Sequence, residues 1–417
     1  MNVLVKSATI VDPKSDFHNQ TVDILIEKGK ISQIGKRVQN PKKYKEIRLA
    51  DLHVSQGWFD SAVSFGEPGY EERETISNGL DTAAYSGFTA VNVNANTNPV
   101  IDTNADIAFM KSKSNGHAVN LYPIGALTKE SKGTDLAELF DMTSAGAVAF
   151  YDYQKPISNP NLMKLALQYA SNFGGLVYSF PQESKITGLG VMNEHINSTA
   201  LGLKGNPALA EELQIARDLF ILDYTEGKLH IPTISTAKSV ELIREAKRKK
   251  LDVTCSVAIH NILFSDNALK SFDTNFKVLP PLRTDSDIEA LIEGLKDGTI
   301  DMVTSDHDPI DIEHKKIEFD HAKYGTIGLE SAFGALLSVF TLKKTIELLT
   351  KGKSRFGINS SPIAEGNDAN LTLFNPKETY EFGPTDIRST SKNSLFVGAN
   401  LTGKVYGIIN NNQIVLN

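Results

Sequence analysis

Gly57-Trp58-Phe59-Asp60-Ser61-Ala62-Val63-Ser64-Phe65-Gly66-Glu67-Pro68-Gly69 is the stretch on which the fold turns. It opens as an apolar strand through Phe59-Asp60, continues with alternating residues and closes on Glu67-Pro68-Gly69, a turn. Thr75–Ser86 follows with the pattern of a helix, and Thr89–Asn94 reads as a second apolar strand. The same alternation then repeats. Helices are expected over Ala105–Lys113, Asp135–Thr143, Pro160–Ser171, Pro207–Ile221, Ser239–Arg248 and Asp285–Asp297. Strands are expected over Asn120–Ile124, Ala147–Tyr151, Gly175–Phe180, Lys228–Ile234, Asp252–Ala258 and Met302–Thr304. Apolar strands separated by helices imply parallel pairing with helical crossovers, and about eight such units fit a (β/α)8 barrel better than an open sheet.

Both flanks read differently. Asn2–Ile10, Thr21–Ile26 and Ile31–Ile34 are short strands, the last two joined by the polar turn Glu27-Lys28-Gly29-Lys30. Asn370–Phe374, Lys404–Ile409 and Gln413–Leu416 are strands at the other end, around the hairpin signal Asn410-Asn411-Asn412. Neither block can hold much core alone. Residues 1–54 and 356–417 are therefore expected to combine into one β-sandwich beside an α/β barrel spanning 55–355.

Composition sets the bounds. The 417 residues are 41% hydrophobic and 22% charged, values of an ordinary globular chain. A net charge of -7 gives no general attraction to nucleic acid or an anionic membrane; the basic run Arg244–Lys250 reads as the solvated end of a helix. A lone cysteine, Cys255, excludes an internal disulfide and suits a reducing cytoplasm. Met1–Asp12 alternates like a strand and lacks the pattern of a secretory signal, and the apolar stretch Ala332–Leu342 is too short to span a bilayer. A cytoplasmic location is expected.

Several blocks resemble the dihydroorotases of the amidohydrolase superfamily. Gly57–Gly69 resembles their "Gly-Phe-Ile-Asp-x-His-x-His-x-Arg-Glu-Pro-Gly", and Asn96-Thr97-Asn98-Pro99 their "Met-Pro-Asn-Thr-Asn-Pro". Leu201-Gly202-Leu203-Lys204-Gly205-Asn206-Pro207, Asp273–Arg283, Glu293–Asp308 and Tyr324–Glu330 are also family-like. The resemblance covers nearly the whole chain and implies a TIM barrel with a small sandwich, zinc as the cofactor, and opening or closing of the dihydroorotate ring in pyrimidine synthesis.

The same alignment shows what is missing. The first two metal-ligand histidines fall on Ala62 and Ser64, and the later two on Phe180 and Thr233. The family's "Phe-Ser-Asp-Asp-Gly" block is Phe150-Tyr151-Asp152-Tyr153, with one carboxylate kept. Asp306 survives at the general-base position, followed by His307, while the second histidine of that block is Ile310. Among substrate contacts Asn96 remains, but the arginine position is Gly66 and the asparagine before Pro-Pro-Leu-Arg is Leu279. Zinc needs imidazole, thiolate or carboxylate ligands on one point. Asp306 and Asp152 alone read as vestiges, so no metal is expected at the family's site.

The other polar residues have bland readings. His230 lies three residues before Thr233, a spacing that turns a strand residue to the opposite face, toward the helices. His260 and Asn261 are expected to hydrogen-bond locally. Ser305-Asp306-His307 has the composition of a hydrolytic triad, but consecutive residues cannot line up nucleophile, base and orienter; Asp306 reads as a hydrogen-bond acceptor that fixes the barrel mouth. Gly325 and Gly328 read as loop geometry, and Trp58 as barrel core. The leading expectation is a dihydroorotase-like chain without the family activity, in a structural or regulatory role. The resemblance implies aspartate carbamoyltransferase as a partner by analogy, and a homodimer. The alternatives are an active dihydroorotase or another cyclic-amide hydrolase, drawing on Asp60, Asp152, Asp306, Asp308 or Asp311 for a hard ion, and a small-molecule sensor.

Overall fold

The computed structural model describes residues 1–417. Trp58–Val63 (β1), Phe88–Val93 (β2), Asn120–Gly125 (β3), Ala149–Phe150 (β4), Val177–Tyr178 (β5), Leu229–Ile231 (β6), Val253–Ala258 (β7) and Met302–Thr304 (β8) form an eight-stranded sheet in chain order, parallel at every pairing. The sheet closes on itself. The Ser64 amide donates to the His307 carbonyl at 2.7 Å, and Thr304 Oγ1 donates to the Ala62 carbonyl at 2.8 Å. Strands β1 and β2 are buried on both faces, which is why they read as apolar runs and not as alternating ones.

The helices start where their caps allow. Thr75, Thr103, Thr236 and Thr284 each accept an amide from the first turn of the helix that follows, two of them in capping boxes with Asp106 and Asp287. Pro160 takes the first position of Pro160–Ser171, and the Asn159 side chain before it accepts the Asn161 and Leu162 amides. The helix expected over Asp135–Thr143 forms only as Leu139–Ala145. Leu136 is taken by an antiparallel bridge to Thr128, and the Ala137 amide goes to the Leu127 carbonyl at 3.0 Å.

The flanking strands meet beside the barrel in a β-sandwich. Asn2–Ile10 lies between Thr21–Glu27 and His53–Gln56, and His53–Gln56 pairs antiparallel with Leu371–Phe374 from the far end of the chain. Asn400–Asn410 and Gln413–Leu416 continue the order, joined by Asn411 and Asn412 at φ +49° and +58°, as a type I′ turn requires. Val3, Val5, Ile24, Val54, Leu371 and Ile409 lie in its core. Trp58 lies in the main core as expected, and it also ties barrel to sandwich: its ring lies 4.7 Å from Phe333 and 5.6 Å from Phe374.

Candidate functional site at the barrel mouth

The carboxyl ends of the strands carry the site in a parallel barrel. Ala62 lies at the end of β1 and Ser64 just beyond it, and both are buried. Asp60, two residues earlier, is fully engaged. Its carboxylate accepts Thr304 Oγ1 at 2.6 Å and the Ser305 amide at 2.8 Å, together with the Ala62 amide at 3.1 Å. Burial raises its pKa above the usual carboxylate range, against the pull of those donors. Asp60 thus fastens β1 to β8.

Asp152 is equally committed. One oxygen accepts the Leu127 and Thr128 amides at 2.9 and 3.0 Å, and the other takes the Thr128 hydroxyl. Its carboxylate closes the loop after β3. Asp152→Ala is expected to cost about 2–4 kcal/mol, since it strands buried donors. Asp152→Asn keeps acceptor oxygen and size and is expected to cost less than about half of that. Urea melts of both variants check this; equal losses would mean that the charge itself matters.

Asp306 is not the acceptor expected from the sequence. Its backbone sits at φ +49° with the amide donated to Thr304 Oγ1 at 3.0 Å, and its carboxyl accepts no hydrogen bond. The acceptor that fixes the mouth is Asp60. Burial, then the charges of Asp308 and Asp60, push the Asp306 acid well above the usual range, with His307 pulling the other way. His307 turns away: Nε2 meets Glu74 at 2.8 Å, and Nδ1 accepts the Gly328 amide at 3.3 Å. Burial also lifts Asp308, to about 6. Asp311 is occupied by Arg73 at 3.3 Å and His314 at 2.7 Å.

The remaining family positions are filled with apolar bulk. Phe180 and Leu279 join Phe59, Tyr151, Tyr178 and Phe356 in a single buried cluster. His230 faces this cluster and not the helices, a correction to the spacing argument. Its ring lies 4.4 Å from Tyr178 and 6.4 Å from Phe356. The strand ends at Ile231 and Thr233 lies beyond it at φ +48°, so a count of alternate faces does not run through to Thr233. His230 is still not free. Thr254 Oγ1 is 2.9 Å from Nδ1 and Ser256 Oγ is 3.2 Å from Nε2, while burial holds its pKa well below the ordinary range.

His260 does not form the local hydrogen bonds expected of it: both ring nitrogens are buried without partners. Burial alone lowers its pKa from 6.5 to about 3. The folded chain refuses a proton that the unfolded chain binds, so stability present above 6.5 is lost as pH falls from 6.5 toward 3. His260→Leu removes both the refused proton and the unpartnered nitrogens. Relative to the parent, the variant is expected to gain about 1.4 kcal/mol per pH unit across that window. Urea melts at neutral and mildly acidic pH measure the gain; a pH-independent difference would contradict it.

The substrate-contact positions have changed in shape as well as identity. Gly66 admits no side chain, because a Cβ there would stand 1.9 Å from the Tyr70 carbonyl oxygen. The segment has closed over it, with the Gly66 amide on the Glu74 carbonyl at 2.8 Å and the Tyr70 amide on the Gly66 carbonyl at 2.8 Å. Asn96 is half-buried and its side-chain oxygen has no partner. Leu279 presents its carbonyl to Gln154 Nε2 at 3.1 Å. Gly325 (φ +128°) and Gly328 are loop geometry as expected; a Cβ on Gly328 would meet the Ser305 carbonyl oxygen at 2.4 Å.

Zinc does not fit this donor set. Ala62, Ser64, Phe180 and Thr233 supply no imidazole, Asp152 is spent on a loop, and Asp306 alone cannot make up a zinc ligand set. No three His, Cys, Asp or Glu side chains converge on a point that could hold a metal ion. Sequence reasoning missed the engagement of Asp60 and the central place of Arg283, buried in a network with Asn193, Asn206, Ser235 and Glu211. The retained "Pro-Pro-Leu-Arg" was the available signal for Arg283.

The architecture superposes on solved amidohydrolases. L-Hydantoinase (dihydropyrimidinase) from Arthrobacter aurescens matches with a TM-score of 0.87 at 21% identity, over 100% of this chain and 96% of that one. Dihydropyrimidinase from Brevibacillus agri matches at 0.83 and 20% identity, over 100% and 95%. A barrel with a sandwich of this kind defines an amidohydrolase fold. Residues 54–239 match the family model described as dihydro-orotase-like. A dihydroorotase of Ruminiclostridium cellulolyticum is 40% identical over 425 residues, and one of Pelotomaculum thermopropionicum 40% over 423, each spanning 100% of this chain and 99% of the relative. The chain belongs to the dihydroorotase-like family, which is metal-dependent. No helix is long and apolar enough to cross a membrane.

Proposed function

We propose that this chain is a dihydroorotase-like protein of pyrimidine synthesis that lacks the family's hydrolytic activity and has a structural or regulatory role. One observation carries the reading: the positions that would hold the metal are apolar, hydroxylic or already hydrogen-bonded within the fold. Scaffold residues such as Arg283 are kept while the mouth is filled, which is the pattern of a fold retained for its surfaces. By analogy with non-catalytic dihydroorotase-like chains, the partner is aspartate carbamoyltransferase, and the protein itself a homodimer, in the cytoplasm. Co-elution of the two purified proteins in size-exclusion chromatography tests the partnership; separate peaks at concentrations well above micromolar would refute it.

A second reading, an active dihydroorotase or other cyclic-amide hydrolase with an altered site, is favoured by the activity for which the 40%-identical relatives are named. Dihydroorotate turnover in both directions, with zinc supplied and an active dihydroorotase as control, separates the two. No turnover above a blank is expected.

A further inference from the structure

Below the barrel, on the side away from the mouth, Val11–Lys14 and Gln56 face the helix Leu342–Thr350 and the turn after it across a cavity of about 460 Å³. This volume lies in the range of small-molecule sites, at a junction between two packed units where such sites are common. Lys14, Lys343, Lys351 and Lys353 line it, with Asp12 and Glu347 as its carboxylates. Both acids are engaged. Asp12 accepts the Lys14 and Ile363 amides and Gln56 Nε2 at 3.0, 2.8 and 3.0 Å, and Glu347 pairs with Lys344 at 3.1 Å. None of the four lining lysines has an ion-pair partner.

Lys353 is the telling member. Only 2% of it is exposed, yet its ammonium has one acceptor, the Gly57 carbonyl at 2.5 Å. An ammonium has three donors, and burying it without an opposing charge is costly. Burial accordingly draws its pKa down to about 8, with no neighbouring charge to restore it. A second cavity, of about 440 Å³, adjoins the same side chain. A buried cation left unbalanced beside a concave, lysine-lined space needs an anion to complete it. Lysine acts as a point charge suited to phosphate, and no arginine fork, the usual grip on a planar carboxylate, lines the cavity.

We propose that this floor cavity binds a small phosphorylated molecule, with Lys353 as the buried anchor and Lys14, Lys343 and Lys351 as the outer contacts. The site is independent of the mouth and of whether the mouth is catalytic. The test is calorimetric titration of the full chain with pyrophosphate and with inorganic phosphate, in a phosphate-free buffer. Saturable binding at one site is expected. The paired exposed substitutions Lys343→Ala and Lys351→Ala should weaken it about tenfold or more, a difference of about 1.4 kcal/mol. Lys353→Met should abolish it; should that variant fail to fold, the exposed pair carries the test. The control pair Lys185→Ala and Lys296→Ala, exposed elsewhere, should leave it unchanged. No saturable heat, equal weakening by the control pair, or citrate binding as tightly as pyrophosphate would overturn the assignment.

Discussion

Purified protein supplied with zinc is expected to turn over no dihydroorotate in either direction. The argument is one of magnitude. A catalytic zinc lowers the pKa of its bound water from about 15.7 to about 7. At about 1.4 kcal/mol per unit, a site without the ion gives up roughly 12 kcal/mol of nucleophile activation. A lone carboxylate acting as general base recovers about 10²–10⁴-fold, far less than that loss. Asp306 is the carboxylate left at that position, and burial with the charges of Asp308 and Asp60 raises its pKa well above the usual range. Clear turnover that is abolished by a chelator would sink the reading, and would direct attention to ligands outside the family pattern, beginning with His230 and His260.

Arg283→Ala is expected to be the most damaging single change to stability, at about 3–5 kcal/mol, because it breaks a buried charged network by removing one partner. Arg283 is 3% exposed. Nε donates to Ser235 Oγ at 3.1 Å, and Nη1 to Asn193 Oδ1 and the Asn206 carbonyl at 3.0 and 2.7 Å. Nη2 lies 3.8 Å from Glu211, which also accepts the Ser235 amide at 2.7 Å and Ser239 Oγ at 2.6 Å. Without the guanidinium, Glu211 is a buried anion with no balancing cation at hand. Arg283→Lys is expected to recover little, since a single ammonium cannot reproduce the planar fork. Equilibrium urea unfolding measures both variants; a loss below about 1 kcal/mol for the alanine would show that the network is dispensable.

Much of the barrel was legible because its strands are buried on both faces and its helices open on polar caps, two signals that are local in sequence. The helix before β4 was misjudged for a tertiary reason, the bridge of Leu136 to Thr128. At the mouth, the loss of each histidine could be read by alignment, but the fate of the remaining acids could not. Asp60, Asp152 and Asp306 look alike in sequence. One seals the seam, one closes a loop and one is left without a donor, and only the groups around each decide which. Gly66 shows the same limit: the missing arginine was visible, but the carbonyl oxygen standing where its Cβ would be was not.

The pairing of His53–Gln56 with Leu371–Phe374 has a consequence for biosynthesis. As the chain emerges from the ribosome, Asn2–Gln56 can form its own pairings early, but one edge stays uncovered until translation has passed Leu371. An open strand edge is a template for pairing with another molecule. The interval in which the nascent chain is most prone to association therefore spans synthesis of the entire barrel, and slowed translation within the barrel segment should lower the yield of soluble product more than slowing after residue 381.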